Sequence, residues 1–249
     1  MTALSEAGID VFVEECGGVK LNPQQNLALL HRMLWREGYD DRIAGHITAR
    51  LPDDTIICTP YGLAWNEIRA SDILTIDRDG NLLEGTGEVP LPITLHLVAH
   101  EMRRDIHVAV HQHPRWATAW AAARRVPAIF DQLGAFGGAG LVCYEEYLGA
   151  VDDREIAKKN VAGMGDASVA LLANHGVFVL GNDIVQTHTR AVVLEHRCAL
   201  AARVEQIGGG QVLDDDVAAA LGERLAGGWP QFFEAMVRSE LRLDPAVLD

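Results

Sequence analysis

Val108-Ala109-Val110-His111-Gln112-His113-Pro114 is a β-type run that carries two histidines one residue apart. On a strand, residues i and i+2 project to the same face. His111 and His113 therefore aim both imidazoles at one point, as two ligands of a divalent metal must. A second apolar run, residues 169–181, places His175 inside Asn174-His175-Gly176 in a buried strand environment. A lone interior histidine is ordinarily just hydrogen-bonded to backbone. Histidines at His-x-His spacing in a β run, joined by a distant Asn-His-Gly, fit a three-imidazole metal site better.

The chain around these runs alternates helices with strands. Asn22 and Pro23 have the chemistry of a helix N-cap and first turn, and Leu27, Leu29, Leu30, Met33 and Leu34 form an apolar stripe that ends near Gly38. Residues 47–51 and 56–59 read as a hairpin across Pro52-Asp53-Asp54. Residues 68–73 read as a short helix or turn, and 73–76 as a strand leading into an Asp79-Gly80 turn. Strands in meander order without intervening helices imply antiparallel pairing. Helices are expected over 95–104, 116–125, 153–164, 183–208 and 214–226. Residues 128–150 read as a glycine-rich loop whose Phe130, Phe136, Tyr144 and Tyr147 are available to wall a pocket. His96 and His100 lie i,i+4 on one helix face, a spacing more often used for packing or hydrogen bonding than for a metal. His188 and Glu195, seven apart, read as a buried polar pair in a helix seam.

Composition limits what this fold can do. The 249 residues, 49% of them apolar, fit one large α/β domain. We divide the chain into an N-terminal extension over 1–20, with room for one helix, a main domain over 21–210, and a C-terminal helical segment over 211–249 that packs on the domain or on a neighbouring subunit. The net charge of −14 opposes binding to nucleic acid or an anionic membrane. No apolar run reaches membrane-spanning length. The N-terminus lacks the pattern of a secretory signal. The four cysteines form no Cys-x-x-Cys pair, which suits free thiols in a reducing cytoplasm.

Taken in order, Ala44-Gly45-His46-Ile47-Thr48-Ala49-Arg50, Thr59-Pro60-Tyr61-Gly62, Ser71 to Gly80, His96 fifteen residues before His111-Gln112-His113-Pro114, and Asn174-His175-Gly176-Val177 resemble the class II aldolase/adducin family over about residues 22–208. The resemblance implies a three-layer α/β/α domain around a mainly antiparallel sheet. It implies Mn, Zn, Co or Fe on His111, His113 and His175, and a small-molecule substrate. It also implies a homotetramer with active sites between subunits. Two departures stand out. Sugar-phosphate aldolases of this family carry Pro-Ser-Ser-Glu four residues before the position of His96, the serines binding phosphate and the Glu acting as acid/base. Here Pro90 and Leu91 stand at the serines and Pro92 at the Glu, and the Gly-Asn of the phosphate loop reads Gly45-His46. A gap would bring Glu88 into the role, against the stiffness of Pro90 and Pro92.

The altered motifs resemble a divergent branch that includes decarboxylases of hydroxylated aromatic or pyridine carboxylic acids, with substrates of the dihydroxyphthalate type. Loss of CO2 and a retro-aldol step both break a C–C bond and leave charge on carbon. A Lewis acid stabilises that charge through a neighbouring oxygen as a phenolate or enolate. Decarboxylation needs no base to deprotonate an alcohol, so the missing Glu is tolerable. The expectation is a carbon–carbon lyase with His46 and His96 as candidates for the proton, and Arg50, Tyr61, Gly62 and Arg115 as substrate contacts. Alternatives are an aldolase or epimerase on a non-phosphorylated substrate, an Fe(II) oxygenase on the same scaffold, and a non-catalytic adducin-like module.

Overall fold

In a computed structural model, residues 10–137, 140–146 and 152–249 are described. Along the chain run β1 (Glu15–Cys16), β2 (Val19–Lys20), α1 (Pro23–Arg36), β3 (His46–Arg50), β4 (Ile56–Cys58), β5 (Leu74–Ile76), β6 (Leu82–Glu84), α2 (Thr94–Met102), β7 (Val108–Gln112), α3 (Arg115–Ala123), α4 (Gln132–Phe136) and β8 (Leu141–Tyr144). There follow α5 (Arg154–Gly163), β9 (Val169–Leu172), β10 (Gly176–Gly181), α6 (Ile184–Gln206), α7 (Asp215–Leu225) and α8 (Trp229–Leu243). Eight strands form one sheet in the order β6-β5-β4-β3-β7-β10-β9-β8. Every pairing is antiparallel except β8 with β9.

Strand alternation sorts the sheet into two buried faces. Ile47, Ala49, Val108, Val110, Val177 and Val179 pack with α1, α3, α6 and α8, while Ala109, Phe178 and Leu180 pack with α2 and α5. With helices on both sides, the central strands read as continuous apolar runs. The even-numbered positions of β3 and the odd-numbered positions of β7 share the α2 face. His46 pairs in register with His111 there, so the histidines collect on one side at one end of the sheet.

The expected helices form, with the local chemistry that specifies them. Asn22 and Gln25 make a reciprocal capping box at the start of α1, and Gly38 (φ +96°) ends it. Asp153 and Asp183 cap α5 and α6. Three readings need correction. Residues 10–20 hold the small β1–β2 hairpin rather than a helix, and residues 1–9 lie outside the described ones. The 128–150 stretch contains α4 and β8, because Asp131 caps a short helix through the Gly134 amide and Leu141–Tyr144 adds an edge strand. Within that stretch Phe136 packs on Phe232, and Tyr147 lies outside the described residues. The C-terminal helix α8, for which packing on the domain is one of the two expected placements, needs no correction: it packs on α1 and α6 and buries Phe233 and Val237. His188 and Glu195 do not pair: His188 sits between Phe232 and Phe233, and Glu195 points to α3.

Candidate metal centre and active site

Two strands and a turn bring the three histidines together. His111 lies on β7, His113 follows it, and His175 occupies the β9–β10 turn. Each offers one ring nitrogen such that all three atoms lie within 4.8 Å of one another. The turn is built by Asn174 in the left-handed region (φ +56°), a conformation asparagine tolerates better than most residues. Gly176 is required by close approach, since a Cβ there would lie 2.5 Å from the Gln112 carbonyl oxygen and from His113 Cδ2. Gly45 (φ +80°) is required likewise, because its Cβ would meet the His111 carbonyl oxygen at 2.6 Å.

Neighbouring groups set which nitrogen each ligand presents. His111 Nδ1 donates to the Val177 carbonyl at 2.8 Å, which leaves the Nε2 lone pair available. His113 Nδ1 donates to Asp41 Oδ2 at 2.8 Å, and its Nε2 is buried without a hydrogen-bond partner. A carboxylate behind a ligating imidazole fixes its tautomer and raises its basicity. Burial pushes the His175 pKa down to about 4 and holds His111 well below its ordinary range, so both are neutral at pH 7 as ligands must be. This donor set fits a divalent cation.

Two further contacts hold His113 in place. Gln112 donates from Nε2 to the Ala44 carbonyl and accepts from the His113 amide, tying β7 to the loop before β3. Helix α3 begins directly after Pro114, which brings no capping side chain. Glu195 of α6 supplies the cap by accepting from the Trp116 and Ala117 amides at 2.7 and 2.8 Å. Burial raises the Glu195 pKa to about 7 against the lowering effect of those two amides.

The histidines floor a cavity of about 160 Å³ whose walls are apolar: Ile43, Ala44, Pro60, Tyr61, Pro90, Pro92 and Leu95. His46 also lines it, with a buried Nε2 that has no hydrogen-bond partner. Burial, with His113 and His175 nearby, takes the His46 pKa down to about 4. His96 stands behind His46, ring centroids 4.9 Å apart, and does not line the cavity. Its Nδ1 and the His100 Nε2 share the Thr48 hydroxyl at 2.9 and 2.8 Å, so the i,i+4 pair on α2 serves hydrogen bonding, not ligation.

The remaining expected contacts divide. Tyr61 lines the cavity mouth, whereas Gly62 is not among its lining residues. Arg50 is at the other end of β3, about 13 Å along a five-residue strand from His46. It bonds the Arg104 and Ile106 carbonyls and Asp54. Arg115 is exposed and paired with Asp40. Neither arginine reaches the cavity. Pro90 and Pro92 form wall, and exposed Glu88 is not a lining residue, so no carboxylate takes the place of the missing Glu among the described residues. Asp41 and Glu195 were missed because each acts across more than 70 residues, and Glu195 carries no sequence signal of its role. The doublet Asp40-Asp41 just before Gly45-His46 was the available hint.

A mainly antiparallel sheet between helical layers, with three converging imidazoles at one strand end that could hold a metal ion, defines an α/β/α domain of class II aldolase type. The chain belongs to the class II aldolase and adducin N-terminal domain family, whose model matches residues 25–202. It is 31% identical over 211 residues to a 3,4-dihydroxyphthalate decarboxylase of Arthrobacter keyseri (78% of this chain, 84% of that one). It is 28% identical to a 5-deoxy-D-ribulose 1-phosphate aldolase of Bacillus thuringiensis serovar kurstaki (69% and 80%). The crystal structure of an aldolase II superfamily protein from Pseudomonas syringae superimposes with a TM-score of 0.79 at 24% identity, covering 92% and 98% of the two chains. No described helix is long and apolar enough to cross a membrane.

Proposed function

We propose that this protein is a metal-dependent carbon–carbon lyase that decarboxylates a hydroxylated aromatic or heteroaromatic carboxylic acid. The observation that carries the reading is the cavity wall. Around three imidazoles it presents proline, alanine, leucine, isoleucine and tyrosine, and no described lining residue is an arginine, lysine, serine or carboxylate. Apart from the Tyr61 hydroxyl, the His46 ring and the three floor imidazoles, no described lining side chain can donate hydrogen bonds to a phosphate. A flat ring fits such walls and keeps its polar oxygens for the floor. The similarity to a dihydroxyphthalate decarboxylase points the same way.

His111, His113 and His175 would hold the cation, Mn, Zn, Co or Fe by donor type. Bound there, it supplies Lewis acidity toward the hydroxyl and carboxylate oxygens of a substrate. The apolar walls hold the ring and exclude water. The bond between ring carbon and carboxylate breaks, CO2 leaves, and the electron pair stays on the ring, delocalised toward the hydroxyl oxygen. One proton must then reach that carbon. His46 is the deep lining group able to pass a proton at nitrogen; being neutral, it relays one rather than storing it. His96, held by Thr48, fixes the His46 ring. Ile43 and Tyr61, cavity-lining residues 46% and 56% exposed, are the apolar rim that a neighbouring copy in a tetramer would cover. Four free cysteines suit a cytoplasmic setting.

The test is metal analysis of wild type beside His113→Ala, then CO2 release from a panel of ortho-hydroxy aromatic acids. Stoichiometric metal lost in the variant, with metal-dependent CO2 from one acid, is the expected result. Metal without CO2, accompanied by aldehyde turnover or oxygen consumption, would replace the reading with an aldolase or an oxygenase. No metal even after reconstitution would leave a binding module.

A further inference from the structure

Helix α6 lines a second cavity of about 230 Å³ together with α4, α7 and the β8–β9 edge. Among the described residues it shares no lining residue with the histidine cavity. Val169, Val193 and Leu194 place it on the opposite side of the sheet. Ile129, Val193, Leu194 and Ala218 make its walls apolar, yet two arginines one heptad apart on α6, Arg190 and Arg197, also line it.

These guanidiniums are bonded unusually for this chain. Arg190 Nη1 donates to the Leu180 carbonyl at 2.6 Å, and its Nε is buried without a partner. Arg197 donates from Nε and Nη2 to the Pro127 carbonyl at 2.9 and 2.5 Å. Neither has a carboxylate within ion-pair distance among the described residues, although Asp215 stands on the same wall. Carboxylates are not scarce, at 35 acidic residues to 21 basic. The two most buried arginines each meet one, Arg32 with Asp244 at 3.1 Å and Arg50 with Asp54 at 3.3 Å. Burial also lowers both pKa values, that of Arg190 to about 10. Asp183 near Arg190 and Asp215 near Arg197 act on them only beyond ion-pair distance, and half-buried cations without a contacting anion beside an apolar cavity are an incomplete arrangement.

We propose that this cavity is a second ligand site, separate from the metal centre, that binds a small apolar carboxylate, such as an aromatic or short acyl acid. The guanidinium fork matches a carboxylate in geometry and charge. The apolar walls take the rest of the molecule, and they offer few donors for the further oxygens of a phosphate.

The test is calorimetric titration of the full-length protein with benzoate, hexanoate and inorganic phosphate. It is run in wild type and in His113→Ala, where the metal centre is disabled. Expected is benzoate binding that persists in His113→Ala and falls by about tenfold or more in Arg190→Gln and in Arg197→Gln made in that background. Ala219→Phe places a ring in the cavity from an exposed helix position. It should abolish binding without changing Tm, and it decides the matter should an arginine variant fail to fold. Benzoate binding that vanishes in His113→Ala, that ignores all three cavity variants, or that phosphate matches or exceeds would overturn the proposal, as would no binding of either acid.

Discussion

Asp41 Oδ2 accepts a hydrogen bond from His113 Nδ1 at 2.8 Å, and the opposite nitrogen of that ring is the one aimed among the other two imidazoles. The carboxylate therefore determines which face of His113 a cation meets. Asp41→Ala should weaken metal affinity about 10- to 100-fold while the fold persists. Asp41→Asn, which retains an acceptor oxygen without the charge, should fall between variant and wild type. Competition against a chromophoric chelator reads both. Affinity unchanged in Asp41→Ala would show that the pair is only a surface contact.

His46 separates binding from turnover. It lines the cavity beside the three ligand histidines but is not one of the converging set. His46→Gln should keep full metal stoichiometry and reduce kcat about 10²- to 10⁴-fold. Metal analysis alongside single-turnover CO2 release would check this. Loss of metal in the variant would instead make His46 a ligand.

Much of this was legible from sequence because the decisive signals were local. His-x-His on a β run, Asn-His-Gly inside the second apolar run, and the cap at Asn22 all act within a few residues. The unread parts depend on distant contacts. Edge strand β8 is four half-buried residues whose partner lies beyond a helix. Glu195 looked like half of a helix seam, and only the fold shows it facing the uncapped start of α3. Arg50 was misjudged for a different reason. Its β3 face is the correct one, but strand length puts it at the wrong end of the sheet.

Acid sensitivity follows from the buried histidines. His188 is fully buried against Phe232 and Phe233, neither ring nitrogen has a partner, and burial brings its pKa down to about 3. An unfolded chain takes up this proton near pH 6.5 and the folded chain does not. Stability is therefore lost as pH falls from about 6.5 toward 3, by about 1.4 kcal/mol at pH 5.5 for this one group. His188→Leu removes both that loss and the unpaired polar atoms. It should raise Tm at pH 5.5 by more than at pH 8, as measured by thermal unfolding at the two values. An equal shift at both would mean that His188 titrates normally.

Gly176 tests whether the centre depends on backbone approach. Adding one methyl group brings a carbon to 2.5 Å of both the Gln112 oxygen and His113 Cδ2, and neither neighbour is the free end of a flexible side chain. Strands β7 and β10 meet at that point, with Val177 opposite Gln112 in register. Gly176→Ala must therefore push the strands apart or displace the His113 ring. Overpacking of this kind costs about 1–3 kcal/mol. The same displacement moves His113 away from His175, one residue before the glycine, so metal should be lost along with stability. Denaturant unfolding paired with metal analysis reads both effects on one sample. A variant with normal metal content and a normal midpoint would show that the two strands have room to separate.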